Sequence, residues 1–288
     1  MRFLRESVFL LLLFLFAGNI SASDDLLPTS TTGQIVKHTY FVLSYSENHE
    51  QPEWVYYKLT SSFIKGSVSR TDDFRSDPKV RTGSAQLYDY KGSGYDRGHL
   101  CPAGDMKLSR TSMSETFYMS NMSPQEPSFN RGIWKNLEAT VRNWAAQKGE
   151  IYVVTGGILT ENKGSIGENR VTVPRYYYKI VYDPTGNQKM IALILPNEKG
   201  TEPLQSYVVS VDKVEQLTGV DFFPELPDEL ENRLESTSNA AQWSFKKYTY
   251  TSKSTTQSSG RCQAITKAGT RCKRKATPGS NYCWQHGR

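Results

Sequence analysis

The chain has 288 residues, a formal net charge of +6 and the composition of an ordinary globular protein with many tyrosines. This length allows one domain of medium size and an appendage. Residues 244–288 contain ten Lys or Arg and no acidic residue, so residues 24–243 carry a net charge of −5. This excludes strong binding of polyanions through the bulk charge of the main body. The basic tail is suited to phosphate contacts, or is simply a soluble, flexible terminus.

Residues 1–23 have the pattern of a secretory signal peptide. Two arginines precede the apolar run Val8–Ala17, and small residues follow at positions 21–23. The alternative is a transmembrane anchor, but ten apolar residues are too few to cross a bilayer core of about 30 Å. The sequence therefore predicts export to the periplasm or the medium, with cleavage after Ala22 or Ser23 and no membrane attachment afterwards.

The segments that follow predict an α+β domain with a mixed or antiparallel sheet and flanking helices. Residues 24–34 are polar and rich in Thr and Ser, which is typical of an unstructured leader. Runs of aromatic and β-branched residues predict strands at His38–Ser44, Glu53–Leu59, Ile151–Thr155, Tyr176–Tyr182 and Met190–Leu195. The polar stretch Thr71–Gly94 is typical of a long loop, here one that leads to the next strand.

Two helices are predicted in this domain. Asn130–Lys148 is the clearer one, because apolar residues recur every four positions and Gly149 follows it. The second covers Ser210–Leu217 and begins at a residue that caps helices well.

The segment Tyr95–Pro102 contains the chemistry around which the chain is organised. His99, one of four histidines, lies two residues after Arg97 and three after Asp96. A neutral histidine can accept a proton from water near pH 7, and an arginine is a permanent cation that suits phosphate. Asn130 either caps the predicted helix or offers its side-chain oxygen to a hard cation. Together these residues predict metal-assisted hydrolysis of a phosphodiester.

These residues resemble a known family. Asp96-Arg97-Gly98-His99, followed by Asn130-Arg131-Gly132-Ile133-Trp134 and Leu137-Glu138, is similar to the DNA/RNA non-specific endonucleases. That family includes mitochondrial endonuclease G and secreted bacterial sugar-non-specific nucleases. The resemblance covers roughly residues 35–236, the predicted catalytic domain, and several separate segments must coincide for it to arise. It implies a ββα-metal (His-Me finger) core, in which a strand carries His99 and a helix begins at Asn130.

The resemblance also implies roles for single residues. His99 would be the general base, and Asn130 the one direct protein ligand of Mg²⁺, or of Mn²⁺ in its place. Glu138 would hold metal-bound waters, and Arg97 would support phosphate binding or the charge of the transition state. Asn121 matches a family residue close to the site, with a role in a turn as the alternative.

Other positions concern the binding of nucleic acid. An upstream arginine is expected, for which Arg70 and Arg75 are both candidates; Arg75 is predicted here, together with Arg131. Cys101 follows the catalytic strand where relatives often have alanine. We interpret it as a small buried residue rather than a nucleophile.

The C-terminal region predicts a linker over residues 237–260, rich in Ser, Thr and Lys, and a basic metal module over residues 261–288. The candidate Zn²⁺ ligands are Cys262, Cys272, Cys283 and His286. So short a segment cannot bury a sufficient core, so the metal would supply its folding energy. The alternative is a disulfide, which export favours but which leaves one cysteine unpaired. The predicted phosphate contacts, which could equally be solvated, are Lys273, Arg274 and Lys275.

The sequence thus predicts an exported, Mg²⁺-dependent endonuclease that cleaves DNA and RNA without sequence preference. The resemblance implies products with 5′-phosphate and 3′-hydroxyl ends, and it admits a homodimer because some members of the family dimerise. One alternative is a binding protein that holds nucleic acid through the basic tail without cutting it. A second alternative is a phosphodiesterase for a small nucleotide or a lipid headgroup.

Overall fold

The computed structural model describes residues 26–245, 260–266, 269–276, 281–283 and 286. They belong to two compact units, the first ending at Lys246 and the second beginning at Lys247. The predicted signal peptide and most of the predicted linker lie outside the described residues. Within the described ranges, no helix combines the length and the apolar character needed to cross a membrane.

The first unit contains the strands and helices that position the site. Its strands are β1 (Ile35–Lys37), β2 (Val42–Ser46), β3 (Gln51–Thr60), β4 (Asp96–His99), β5 (Met122–Gln125), β6 (Glu150–Gly157), β7 (Asn162–Ile166), β8 (Val171–Pro174), β9 (Tyr176–Asp183), β10 (Lys189–Pro196) and β11 (Val208–Val209). Its α-helices are α1 (Ser61–Lys65), α2 (Leu87–Tyr90), α3 (Arg110–Glu115), α4 (Lys135–Lys148), α5 (Val211–Thr218) and α6 (Asp228–Glu235).

One sheet of seven strands forms the centre of this unit, in the order β1-β2-β3-β6-β9-β10-β11. All its neighbouring strands are antiparallel, for example Tyr57 beside Val153 and Val153 beside Val181. Two separate ribbons, β4–β5 and β7–β8, complete the strands. The predicted α+β class is confirmed.

The sheet buries both of its faces, because successive side chains of a strand point to opposite sides. On one face, Tyr57, Val153 and Val181 pack with Leu137 and Val141 of α4. The opposite face packs against α5 and α6 and contributes Tyr56, Val154, Ile180, Val214 and Leu234. Each fully buried side chain of this size contributes roughly 1.5–3 kcal/mol of transfer free energy, so the sheet is a rigid base for the site.

The predicted helix Asn130–Lys148 is correct from Lys135 onwards and wrong in its first turn. Phe129–Trp134 forms a wide π-type turn, within which Gly132 departs from helical geometry with φ −105° and ψ −107°. The physical reason is that Asn130 bonds to strand β4, and glycine tolerates the kink that joins this turn to α4. At the other end, Gly149 terminates α4 with φ 87°, as predicted.

The predicted unstructured leader, residues 24–34, is ordered from residue 26 onwards. Trp54 Nε1 donates to the carbonyl of Thr29 at 2.8 Å, and the amide of Thr31 donates to Glu53 Oε1 at 3.0 Å. Leu26 and Leu27 pack against the core beneath α5 and α6. The prediction is wrong because the polar groups of this segment bond to a nearly buried glutamate that lies far away in sequence.

The predicted domain boundary at residue 236 is also wrong, since the first unit continues through residue 245. Trp243 is 5% exposed and lies against Trp144 with ring centroids 4.6 Å apart. Trp144 Nε1 donates to the carbonyl of Ser244 at 2.7 Å, and the Phe245 ring meets Trp144 edge-on. The aromatic start of the predicted linker is therefore part of the core under α4.

The long polar loop before β4 contains α2 and is fixed to the body by a buried contact between a histidine and a carboxylate. His38 Nε2 lies 2.9 Å from Asp77 Oδ2, and both side chains are fully buried. Ser120 Oγ donates to the same carboxylate oxygen, and the pKa of Asp77 is lowered because its bonds outweigh its burial. This anchoring brings Phe74, three residues earlier, to the candidate active site.

Candidate active site and candidate metal cluster

Strand β4 carries the four residues Asp96-Arg97-Gly98-His99 and pairs with β5, so that His99 lies opposite Met122. Glycine is needed at position 98, because a Cβ there would lie 2.2 Å from the Gln125 side chain. Alternation along the strand places Arg97 and His99 on one side and Asp96 on the other. A single short strand thus carries both the candidate base and the carboxylate that reaches Asn130.

His99 is enclosed by aromatic rings. Its imidazole meets Phe117 edge-on at 5.0 Å between centroids and lies 5.7 Å from the ring of Phe74. Burial, together with the positive charges of Arg70 and Arg97, lowers the pKa of His99 to about 3. The Nε2 atom is buried and has no hydrogen-bond partner among the described residues. The lowered pKa makes His99 a neutral imidazole at pH 7.

Asp96 connects this strand to the turn that precedes α4. Its Oδ2 accepts from Asn130 Nδ2 at 2.9 Å and from Arg131 Nε at 2.8 Å, and its Oδ1 accepts from the Arg131 guanidinium at 2.6 Å. Burial alone would raise the pKa of Asp96, but these bonds from Arg131 and Asn130 lower it. Because the amide nitrogen of Asn130 is bound to Asp96, the amide oxygen is the atom left for a cation.

Glu138 lies in the first turn of α4 and is half-buried. Burial raises its pKa to about 7, and the nearby charge of Arg142 opposes that rise. A hard cation and its waters prefer an ionised carboxylate close by, and this pKa leaves Glu138 partly ionised at neutral pH.

Behind Glu138 lies a buried polar network that is not predicted from the sequence. Asp105 is fully buried and accepts from Tyr57 at 2.9 Å and from Arg142 at 2.7 Å. Lys179 of β9 is also fully buried, 4.8 Å from the centre of the Trp134 ring, and its Nζ has no hydrogen-bond partner in the described part of the chain. Burial lowers the pKa of Lys179 to about 8, while the charge of Glu138 acts in the opposite direction. A lysine inside the apolar run of β9 is the signal that the sequence offers.

The arginines around His99 differ from the predicted set in one respect. Arg97 lies over the Phe74 ring, with Cζ 4.0 Å from its centroid, and Arg70 lies 4.7 Å from the centroid of Phe117. Both charges act on His99. Arg75, predicted as the upstream arginine, instead covers the Tyr118 ring at 3.9 Å and donates to Asp73 and to the carbonyl of Ser114. Arg70 Nε also pairs with a carboxylate, Asp72 Oδ1, at 2.6 Å. What favours Arg70 over Arg75 is therefore its charge on His99 and its place over Phe117.

Arg131, the other predicted phosphate contact, forms an ion pair with Asp96 while 72% of its side chain remains exposed. It lies beside the Asn130 turn and can bind an incoming anion only with the groups that Asp96 does not occupy. Such an exposed ion pair contributes little to stability.

Asn121 has a structural position rather than a catalytic one. It is fully buried, accepts from the amide of Cys101 at 2.8 Å, and donates to the carbonyls of Cys101 and Thr116 at 2.9 and 2.8 Å. These bonds fix the chain immediately after His99, so the turn role fits and contact with a substrate does not. Cys101 is a free, fully buried thiol whose pKa is raised by burial, which agrees with its interpretation as a packing residue.

In the second unit, the four predicted zinc ligands converge. One ligand atom from each of Cys262, Cys272, Cys283 and His286 lies within 4.8 Å of the others. His286 Nδ1 is 3.5 Å from the Cys262 sulfur and 3.3 Å from the Cys283 sulfur. Tetrahedral Zn²⁺ with ordinary bond lengths would separate nitrogen and sulfur by about 3.6 Å, so the residues fit this metal. No disulfide joins any of these three cysteines.

Backbone pairing supports the cluster. The amide of Cys262 donates to the carbonyl of Arg274, and the amide of Cys272 donates to that of Ala264, both at 2.8 Å. The amide of Cys283 points at the Cys262 sulfur at 3.2 Å. The three predicted phosphate contacts of this unit are exposed: Lys273, Arg274 and Lys275.

Comparison with known proteins identifies the relatives of this chain. A family model described as DNA/RNA non-specific endonuclease matches residues 23–229. The chain is 36% identical to a nuclease of Nostoc sp. over 238 residues, which cover 77% of this chain and 84% of that protein. It is 32% identical to human mitochondrial endonuclease G over 209 residues, or 67% of this chain and 70% of that protein. A crystal structure of EndoG in complex with EndoGI is 31% identical, with a TM-score of 0.64, and the match covers 68% of this chain and 88% of that one.

Proposed function

This chain belongs to the DNA/RNA non-specific endonuclease family and is an endonuclease that hydrolyses phosphodiester bonds, and we propose that it is exported, depends on Mg²⁺ and cleaves both DNA and RNA. The observation that carries this proposal is the arrangement on β4. That strand presents a neutral His99 with a ring nitrogen that no described residue engages and, through Asp96, holds the amide of Asn130.

His99 acts as the general base. A ring nitrogen of its imidazole accepts a proton from the water that attacks the phosphorus atom, which requires the neutral form of the imidazole. The flanking rings of Phe74 and Phe117 support this role, because they restrict the orientation of the imidazole. The proton then resides on the imidazole until it is exchanged with solvent.

Asn130 is the proposed protein ligand of the cation, with Mn²⁺ as a substitute for Mg²⁺. The donor set fits, since Mg²⁺ prefers oxygen ligands, retains several waters and needs few protein atoms. Bound there, the ion would supply stabilisation of the charge on the phosphate and on the leaving 3′-oxygen. Glu138 is proposed to hold water molecules beside the cation, and its partial ionisation near pH 7 supports that role.

Arg97 and Arg70 orient the phosphate. Both guanidinium groups lie over aromatic rings that border His99, so their charge is directed to the site while part of each side chain stays exposed. Fixed charges of this kind stabilise the transition state in a site with little water. Contacts to phosphate carry no sequence information and do not distinguish the two sugars, which supports cleavage of both polymers. The products would carry 5′-phosphate and 3′-hydroxyl ends.

The remaining proposals concern the rest of the chain. Export is supported by the N-terminal charge and apolar pattern, although the relatives include mitochondrial proteins. Zn²⁺ in the second unit is supported by the geometry of its Cys₃His cluster. The exposed basic residues of that unit would hold nucleic acid near the enzyme. The homodimer rests on family resemblance and is tested by sedimentation of the purified protein.

The central test is cleavage of supercoiled plasmid and of RNA by the mature protein. We expect both polymers to be cut with Mg²⁺ and neither with EDTA. His99→Ala should reduce the rate by about 10²- to 10⁴-fold, the usual contribution of a general base. His49→Ala is the matched control, because His49 bonds to Thr172 in another part of the fold.

Other outcomes of this test point elsewhere. Binding without cutting would favour the second candidate, a nucleic-acid-binding protein that uses the basic tail. Cleavage that persists in EDTA would remove the metal role of Asn130. Hydrolysis of small phosphodiesters without cleavage of plasmid would favour the small-substrate phosphodiesterase.

A further inference from the structure

Helices α5 and α6, on the face of the sheet opposite α4, bring three carboxylates together. Asp212 and Glu215 lie three residues apart on α5, and Glu235 is the last residue of α6. One carboxylate oxygen from each residue lies within 4.8 Å of the other two. The proposed catalytic residues are on other elements, so this cluster has no part in the nuclease site.

The cluster contains a buried oxygen without a partner. Glu235 is only 6% exposed, and its Oε1 has no hydrogen-bond partner among the described residues. Glu231, one turn earlier on α6, also has a buried Oε1 that no described residue engages. A buried polar atom that forms no bond costs about 1–3 kcal/mol, so such atoms usually mark a missing partner.

The surrounding charges act in one direction. The charged groups that act most strongly on Glu235 are all acidic: Glu215, Glu231, Asp212 and Asp221. Glu215 receives a hydrogen bond from the amide of Phe222 at 2.9 Å, and Lys213 on the same helix is engaged with Gln216. Burial, together with these neighbours, raises the pKa of Glu235 to about 9. At pH 7 this carboxyl is therefore protonated, and a bound cation would replace its proton and offset the repulsion of the surrounding acidic groups.

We propose that Asp212, Glu215 and Glu235 form a binding site for a hard divalent cation of the Ca²⁺ type. The ligand chemistry selects this class, because Ca²⁺ takes six to eight oxygen ligands at about 2.3–2.6 Å. Two oxygens on opposite sides of such an ion are about 4.8 Å apart, so the three carboxylates fit around one ion. Zn²⁺ would require nitrogen or sulfur ligands, and Mg²⁺ gives up its waters reluctantly.

Such an ion would join two helices that otherwise share a repulsive contact. It would tie α5 to the end of α6 and thereby hold Val214 of α5 and Leu234 of α6 in the core of that face. The site therefore affects stability rather than catalysis. With few protein ligands and a partly open position, the expected dissociation constant is about 10⁻⁴–10⁻³ M, the range of weak Ca²⁺ sites in extracellular modules.

Thermal unfolding of the full-length mature chain with and without about 10 mM CaCl₂ tests the proposal. All variants carry Asn130→Ala, so that binding at the proposed active-site ligand does not contribute. The parent should unfold about 3–10 °C higher with Ca²⁺, from the linkage between ligand concentration, affinity and stability. Glu235→Gln should unfold at a higher temperature than the parent without Ca²⁺, because an amide needs no proton uptake to be buried at pH 7. It should gain nothing when Ca²⁺ is added.

Glu229→Gln is the matched control, since Glu229 is exposed on the same helix and outside the cluster. It should respond to Ca²⁺ like the parent. Asp212→Asn provides a second variant if Glu235→Gln does not fold, and its response should be lost likewise. An absent shift in the parent, or an equal shift in Glu235→Gln or Asp212→Asn, would overturn the proposal. Failure of the nuclease assay would leave this measurement unaffected.

Discussion

The two units of this protein hold their candidate metal ligands in opposite ways. In the first, Asn130 is set by Asp96 on strand β4, and its neighbours Phe129 and Trp134 belong to the core on the sheet. In the second, the buried cluster consists of Cys262, Cys272 and Cys283, with Ala264 packed against it. One site is built by packing, and the other is itself the core.

This difference follows from chain length. A unit of more than two hundred residues can bury several layers of side chains, whereas a segment of about forty residues rarely can without a metal or disulfides. The metal should therefore be an addition to the first fold and a condition for the second. Removal of metal should show the largest difference in stability between the two units. Substitutions within the first unit should have smaller effects.

Removing metal from the full chain should unfold the second unit only. Structural zinc in small modules supplies about 10–16 kcal/mol of apparent folding free energy, while the first unit is held by its cores. Titration with a chromogenic disulfide reagent measures this directly. Before chelation no thiol should react quickly, and afterwards three should, because Cys101 stays buried in the first unit. Four reactive thiols, or none, would contradict the contrast.

Trp243→Ala should destabilise the first unit by about 3–5 kcal/mol, because it removes a buried indole that packs on Trp144. Urea unfolding of a chain ending at residue 246 measures this loss. Leu87→Ala is the control, since Leu87 is 41% exposed and should change the free energy of unfolding by less than about 0.5 kcal/mol. An equally small effect of Trp243→Ala would mean that residues 237–245 belong to the linker and not to the core of the first unit.

Asp96→Ala should lower kcat/KM by about 10- to 100-fold and raise the Mg²⁺ concentration needed for half-maximal activity. The carboxylate orients the amide of Asn130, and groups that orient a metal ligand are typically worth that much. Arg131→Ala removes the other partner of Asp96 from an exposed position and should change activity by only a few-fold. Equal losses in the two variants would mean that the ion pair, rather than the orientation of Asn130, matters.

The sequence predicts the parts of this protein that have local patterns. The strand predicted at Tyr176–Tyr182 agrees with β9 to within one residue at each end. Buried strands are recognisable because they consist of runs of aromatic and β-branched residues. The ribbon strand β7 has no such pattern, since Asn162–Ile166 is polar and mostly exposed. The order of the leader depends on Glu53, a partner that no local pattern reveals.

The site shows the same division. His99, Arg97 and Asn130 stand in a motif, and their spacing along the chain is enough to mark them. Arg70 cannot be chosen over Arg75 from the sequence, because the choice depends on which aromatic ring each guanidinium covers in the folded chain. Lys179 lies far from His99 in sequence and reaches the network behind Glu138 only through the sheet.

Acid should destabilise the wild-type protein through His99. Below about pH 6.5 the unfolded chain protonates this residue, whereas the folded chain does not until about pH 3, so the free energy of unfolding falls with pH. The expected slope is about 1.4 kcal/mol per pH unit for one group. Urea unfolding of wild type and His99→Gln at about pH 7.5, 6.0 and 5.0 isolates this contribution. As pH falls, the free energy of unfolding should decrease more for the wild type than for His99→Gln. An equal decrease in the two proteins would refute the buried neutral imidazole.

The smallest expected effect distinguishes two arginines on the substrate side of the first unit. Arg70→Ala should raise KM for DNA several-fold and reduce the slope of log KM against log salt by about one, because one phosphate contact is lost. Arg75→Ala should leave both nearly unchanged, since Arg75 is committed to Tyr118, Asp73 and Ser114. Both side chains are partly exposed. Comparing the two substitutions therefore distinguishes the effect of a positive charge directed at the site from the effect of one that only raises the surface potential. If the two variants weakened binding equally, the position of Arg70 over Phe117 would have no bearing on phosphate recognition.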